Sequence, residues 1–296
     1  MNVELRELRS LLAILDEGSF TDAAIALGVS QAAVSRSLAR LERELGTPLV
    51  RRTTRRVELT PQGVAFAANA RRLLSDLDRA VAEVRGDVGT IRLGYAWAAL
   101  GAHTTSVIRA WNRRHPTAHL RMVHANDRDV GLRLGRCDVA VVRHPLDGDD
   151  LEQVVVGREA RRAAVAVDHP LADARTVRLA ELVPYVVGVD RATGSTTPEL
   201  WRAGDAAAAA PTISYTSDID EWLDVIAAGE LIGVTAEGTE HHRPHPGVVF
   251  LPIDDAPGID VRLVWLRRHP HPLTGRLARH LTAAFAGDPA DVGGPT

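Results

Sequence analysis

Along the first third of the chain, apolar residues recur every three or four positions. Leu5, Leu8, Leu12 and Leu15 fall on one side of a predicted helix that stops near Gly18. Ser19 is placed to cap a second helix, with Asp22 three residues on, and Phe20, Ala23, Ala24 and Leu27 form its apolar stripe. Gly28-Val29 makes a tight turn and Ser30 caps a third helix, on which Val34, Leu38, Leu41 and Leu45 share one face. Helices broken at these points predict a helix-turn-helix. Residues 48–50 and 57–59 read as two short strands, so a hairpin wing should follow.

The polar side of the third helix is unusual. Ala32, Arg36, Ala39 and Arg43 lie nearly opposite the apolar stripe, with Ser35 and Arg40 on the shoulders. A solvated face ordinarily mixes both charge signs, whereas this one presents small residues and arginines. In a helix-turn-helix the start of the second helix of the motif meets base edges in the major groove. Small residues permit close approach, arginine reads guanine with two hydrogen bonds, and Gln31 suits adenine. The candidate DNA contacts on this helix are Ser30, Gln31, Ala32, Ala33, Ser35, Arg36 and Arg40. On the hairpin, Arg51, Arg52, Thr53, Arg55 and Arg56 suit phosphates or the minor groove. Taken singly, the third helix also fits a solvated helix of an ordinary α-domain.

Charge favours the DNA reading. The whole chain carries a formal −3, but residues 30–56 hold seven arginines against two glutamates, +5, which leaves −8 for the rest. A confined basic patch on an acidic protein marks a local polyanion contact. Thr60-Pro61 then starts a helix of about 25 residues, a rod of roughly 38 Å. Gly63, Ala67, Ala70, Leu74, Leu77, Val81 and Val84 form an a/d seam along it. Such a seam predicts a partner helix, or packing on the helix's own domain.

The stretch SFTDAAIALGVSQAAVSRSLARLERELGTPLVRRTTRRVELTPQG resembles the winged helix-turn-helix of LysR-type transcriptional regulators, and the likeness runs from Leu5 to about Gly63. It departs at Ala32, where that family usually has proline. The resemblance implies that the rod is the linker helix through which LysR-type proteins dimerise.

Beyond residue 89 the texture changes. Strand-like runs at 90–95, 119–124, 137–143, 163–167, 185–189, 212–216, 231–235, 248–253 and 261–266 alternate with helical stretches at 101–114, 127–134, 218–228 and 273–286. Alternation of this kind predicts an α/β architecture. DHPLA (168–172) and VRLVWLRRHPHPLTGRLARHL (261–281) also resemble the effector domain of the same family. That likeness implies two lobes, as in periplasmic binding proteins, with a ligand cleft between them. The expected organisation is a DNA-binding domain at 1–60, a linker helix at 61–87 and an effector domain at 90–287. Lobe one would take 90–160 and 267–287, lobe two 161–266, and the tail 288–296 is expected to be disordered.

Ligands of α/β sheets bind at strand ends, where helix N-termini present free amides. The first strand leads to Trp97 and Ala98, with His103 and Thr104 in reach, and the CDVAVV run leads to Arg143 and His144. In lobe two, Thr193, Ser195 and Thr196 cluster before Pro198. Family resemblance places a carboxylate-binding arginine at Arg143, so a carboxylate is the expected effector class. The bland readings are core packing for Trp97, an internal ion pair for Arg143 and simple capping for the hydroxyls.

Other chemistry is weakly signalled. Cys137, the single cysteine, opens an apolar strand and suits the core of a protein in a reducing cytosol. His241, His242 and His245 read as a solvated loop, not a zinc site. No glycine-rich phosphate loop, nucleophile elbow, apolar span of membrane length or secretory leader pattern appears. The expectation is a cytoplasmic regulator without cofactor or catalysis, binding promoter DNA, a small effector and itself, as a dimer or tetramer. The competing class is a solute-binding or enzymatic α/β protein with an accessory helical domain.

Overall fold

Three helices open the chain: α1 (Leu5–Glu17), α2 (Phe20–Leu27) and α3 (Gln31–Leu45). In this computed structural model, residues 2–52, 57–84, 89–202 and 209–287 are described. The expected hairpin tip with Thr53, Arg55 and Arg56, and the tail 288–296, lie outside the described residues. The chain divides into one unit of Met1–Gly89 with Arg133–Arg136 and another of Thr90–Leu132 with Cys137–Thr296.

In the first unit the predicted caps form. Ser19 Oγ accepts from the Asp22 amide at 3.0 Å, and Ser30 Oγ from the Ala33 amide at 3.2 Å. Gly28 turns the chain between α2 and α3 at φ 65°, a left-handed conformation that glycine adopts without strain. The stripe of α1 is wider than expected, with Leu8 and Leu12 buried as predicted and Leu15 packed against the same core. Leu11 and Ile14 are fully buried, while Leu5 is 44% exposed. Strands β1 (Val50–Arg52) and β2 (Val57–Leu59) pair antiparallel. Thr60 Oγ1 accepts from the Gly63 amide and donates to Pro48 O, which starts α4 (Pro61–Val84) directly from the wing.

The seam of α4 has two fates. Ala67 and Ala70 are buried in the core of their own unit with Leu8, Leu11, Leu38 and Leu49. Gly63 is required by the wing, because a Cβ there would lie 2.0 Å from Leu49 O. This half therefore packs on its own domain. Leu74 still packs partly against that core, while Leu77, Val81 and Val84, towards the other end, are 37%, 42% and 90% exposed.

The second unit holds two five-stranded mixed sheets. Sheet one runs β4 (Ala118–His124), β3 (Gly89–Tyr95), β5 (Val139–Val142), β12 (Ile259–Leu266), β6 (Leu151–Glu159). Sheet two runs β11 (Val248–Pro252), β7 (Arg161–Ala166), β10 (Ile232–Ala236), β8 (Val187–Asp190), β9 (Ile213–Thr216). Helices α5 (Thr104–Arg114), behind a 3-10 turn at Gly101–His103, and α10 (Thr274–Phe285) pack on sheet one through Trp111, Leu277 and Leu281. Helices α6 (Leu179–Leu182), α7 (Glu199–Arg202), α8 (Ile219–Ala227) and α9 (Glu237–His242) belong with sheet two.

Three expectations need correction. Strand β12 was expected in lobe two but pairs with β5 and β6 in sheet one, so lobe two ends near 258. Residues 127–134 form turns, with Val130 and Gly131 at positive φ and the Asp127 carboxylate accepting from the Gly131 amide. A helix cannot run through two successive left-handed residues. His241 and His242 end α9 and are not in a loop, and the His242 ring meets Tyr95 edge-on at 5.7 Å.

Candidate nucleic-acid interface and effector cleft

The face of α3 follows from what its other side buries. Val34, Leu38 and Leu41 are in the core, so Gln31, Ala32, Arg36, Ala39 and Arg43 point to solvent. Ala33 and Ser35 are half-buried beside them. Arg36 makes no ion pair among the described residues. Arg40 is differently placed: its guanidinium meets Glu4 at 2.7 Å and Glu7 at 3.0 Å. Glu7 is fully buried, and Arg40 is its only ion-pair partner among the described residues. Arg40 thus ties α3 to α1 instead of facing outwards.

The wing is fixed to the same helix. Glu42 Oε1 accepts from the Leu49 amide at 2.8 Å and the Val50 amide at 3.1 Å, two donors at the start of β1. Arg51 projects from β1 into solvent. Glu42 is therefore a strut between helix and wing.

In the second unit, the ends of β3, β5, β8 and β10 converge on a cleft open to solvent. Trp97 and Ala98 follow β3, Arg143 follows β5, Asp190 ends β8, and Thr193, Ser195 and Thr196 come next. Trp222 from α8 closes one side, its ring 5.2 Å from that of Trp97. The Trp222 indole donates to Gly188 O at 2.8 Å. Gly233 makes room for that ring, since a Cβ there would lie 2.1 Å from Trp222 Cζ2.

Arg143 is held by a two-pronged pair with Glu159, Nε to Oε2 at 2.8 Å and NH2 to Oε1 at 2.7 Å, and it also donates to Ala99 O. Burial alone would raise the Glu159 carboxyl. The Arg143 charge and hydrogen bonds, with the Gly238 amide, outweigh it and hold the carboxyl below its ordinary range.

Residues 5–64 match the bacterial regulatory helix-turn-helix proteins of the lysR family, and residues 85–286 match the LysR substrate binding domain. The chain belongs to the LysR family. It is a DNA-binding transcriptional regulator of the LysR type with an effector-binding domain. Similar proteins include the transcriptional regulator ShiR of Corynebacterium glutamicum strain R, 29% identical across 97% of this chain and 99% of that one. YnfL of Escherichia coli K12, an HTH-type transcriptional regulator, is 35% identical over 63% of this chain and 66% of its own length. Among solved structures, full-length CbnR in complex with its target DNA is 26% identical, with a TM-score of 0.69 over 95% of this chain and 99% of that one.

Within this LysR-type effector unit, six of the residues singled out by sequence line the cleft: Trp97, Ala98, Arg143, Thr193, Ser195 and Thr196. Three do not. The His103 ring faces Phe285 at 4.8 Å, and Thr104 Oγ1 caps the preceding turn through Gly101 O and the Leu100 amide. His144 is buried with Nε2 on Arg128 O at 2.9 Å. Arg143 lines the cleft without offering a free charge to a carboxylate, because Glu159 already compensates it. Sequence reading missed Glu159, Asp190, Trp222, Thr235 and Thr239. Asp190 alone carried a signal, as an acid ending an apolar strand ahead of a threonine turn. Burial pushes the Cys137 thiol up, as suits a core side chain.

Proposed function

We propose that the N-terminal half of α3 reads base edges in the major groove of a promoter while the β1–β2 wing grips the backbone. The observation that carries this reading is the exposure of Gln31, Ala32 and Arg36 directly after the Ser30 cap, backed by a fully buried stripe. The division of labour is testable by gel shift on a selected target and a scrambled duplex. Arg36→Ala should cost about 1–3 kcal/mol on the target and little on the scrambled duplex, the mark of a lost bidentate base contact. Arg51→Ala should weaken both alike and flatten the salt dependence. Equal losses on both duplexes for Arg36→Ala would remove it from base reading.

The exposed apolar end of α4 supports self-association through that helix, which brings two reading heads to two half-sites. The cleft in the second unit is read as the effector site, and its occupancy must favour one arrangement of the assembled protein over another to change transcription. The protein acts in the cytoplasm, where its promoter lies, and without catalysis. Arg143 and Glu159 are engaged with each other, an arrangement that holds a junction and does not transfer protons. No helix among the described residues is long and apolar enough to cross a membrane.

A further inference from the structure

Most polar side chains of the cleft wall already have protein partners. Thr196 Oγ1 donates to Val234 O at 2.7 Å, and the Thr235 and Thr239 hydroxyls bond each other at 2.8 Å. Asp190 Oδ1 accepts from the Ala192 amide, the Thr193 amide and the Thr193 hydroxyl at 3.1, 2.6 and 2.8 Å. Two buried atoms have no protein partner, Asp190 Oδ2 and Trp97 Nε1. Asp190 is 2% exposed and both residues line the cleft. A buried acceptor or donor without a partner costs stability, and more when it is charged.

Charge gives the direction. Arg143 and Glu159 cancel, which leaves Asp190 as the uncompensated charge on the cleft wall. Arg191 beside it is exposed and stacks over Tyr215 at 5.0 Å. An anion would meet a carboxylate and an arginine already neutralised. A cation would meet a free carboxylate oxygen and the ring of Trp97.

Resting on the cleft's role as the effector site, we infer that its ligand is a small organic amine. Its protonated nitrogen pairs with Asp190 Oδ2, an oxygen on the same molecule accepts from the Trp97 indole, and an apolar body lies against the Trp97 ring. A carboxylate held by Arg143 is not the match.

Calorimetry on the full chain tests this with probes sharing one frame: phenylalaninol and leucinol, each with an ammonium and a hydroxyl, against phenyllactate and its leucine-derived counterpart, which replace the ammonium by hydroxyl and carry a carboxylate. The amino alcohols should bind and the hydroxy acids should not. Asp190→Asn keeps the Oδ1 acceptor and so the fold of the turn, but puts an amide donor where Oδ2 stood. It should weaken the amino alcohols about tenfold or more, the loss of one charge-assisted bond, and Trp97→Phe should weaken them by a smaller factor. Hydroxy acids that bind as well as the amino alcohols, with sensitivity to Trp97→Phe, overturn the amine assignment and leave the cleft as the effector site. Absence of binding by every probe at roughly millimolar concentration, or binding indifferent to both substitutions, overturns the assignment and the cleft's role together.

Discussion

Arg40 and Glu7 show how a single pair can move a residue from one role to another. On sequence, Arg40 belongs to the DNA-facing set, yet in the structure it neutralises a carboxylate with no exposure at all. Arg40→Ala should therefore act first on stability. Breaking a buried pair costs about 3–5 kcal/mol, but Arg40 is 38% exposed and partly screened, so about 1–3 kcal/mol is expected. Chemical denaturation checks this, and Glu7→Gln in the Arg40→Ala background should recover part of the loss. A variant of unchanged stability with weakened DNA binding would return Arg40 to the interface. The same limit explains the cleft. Trp97, Arg143 and Thr193 to Thr196 were legible because strand ends are where ligands bind. The pairing of Arg143 with Glu159, 16 residues on, was not, because which acid meets which base is a property of tertiary packing.

At the scale of elements, local patterning carried far. The helix-turn-helix, its caps and the wing were all legible, since caps and periodicity act over a few residues. Each of the nine strand runs predicted beyond residue 89 corresponds to a strand. Strand β6 was missed because its middle, Glu152 to Val155, is exposed throughout and shows no alternation. The seam of α4 was legible as a pattern but not in its division, because burial of Ala67 and Ala70 depends on where α1 lies. That division yields a sharp expectation. Leu77→Glu changes no contact in the buried half of α4, while it removes an apolar group worth about 1.5–3 kcal/mol when fully covered and adds like-charge repulsion between two copies. Sedimentation should show smaller species, with melting of the first unit little changed. An unaltered sedimentation coefficient would mean that other surfaces hold the assembly.

For the molecule as a whole, protonation and chain path set two further properties. Burial keeps the His144 imidazole below its ordinary range, and the nearby Arg128 charge adds to this against the pull of hydrogen bonds and Asp190. A histidine with a depressed folded value contributes stability that is complete above about pH 6.5 and lost as the pH falls. Glu159 has the same sign in a lower window, with its contribution lost as pH falls below about 4.5. Melting should therefore drop between pH 7.5 and 5.5, and His144→Gln should shrink the drop; an identical pH profile in the variant would assign it to the other histidines. The path of β12 bears on something else. Because Ile259 sits directly across from Glu159 in sheet one, the second lobe leaves and rejoins the first at neighbouring points. It is a cassette spliced into a host. Removing residues 160–258 and joining the ends by Asn-Gly, a turn suited to antiparallel strands, should leave a miniature regulator whose first sheet still forms by circular dichroism and resists limited proteolysis. Such a gene could exchange its cassette for another and acquire a new chemical sense in one recombination, with its DNA address intact.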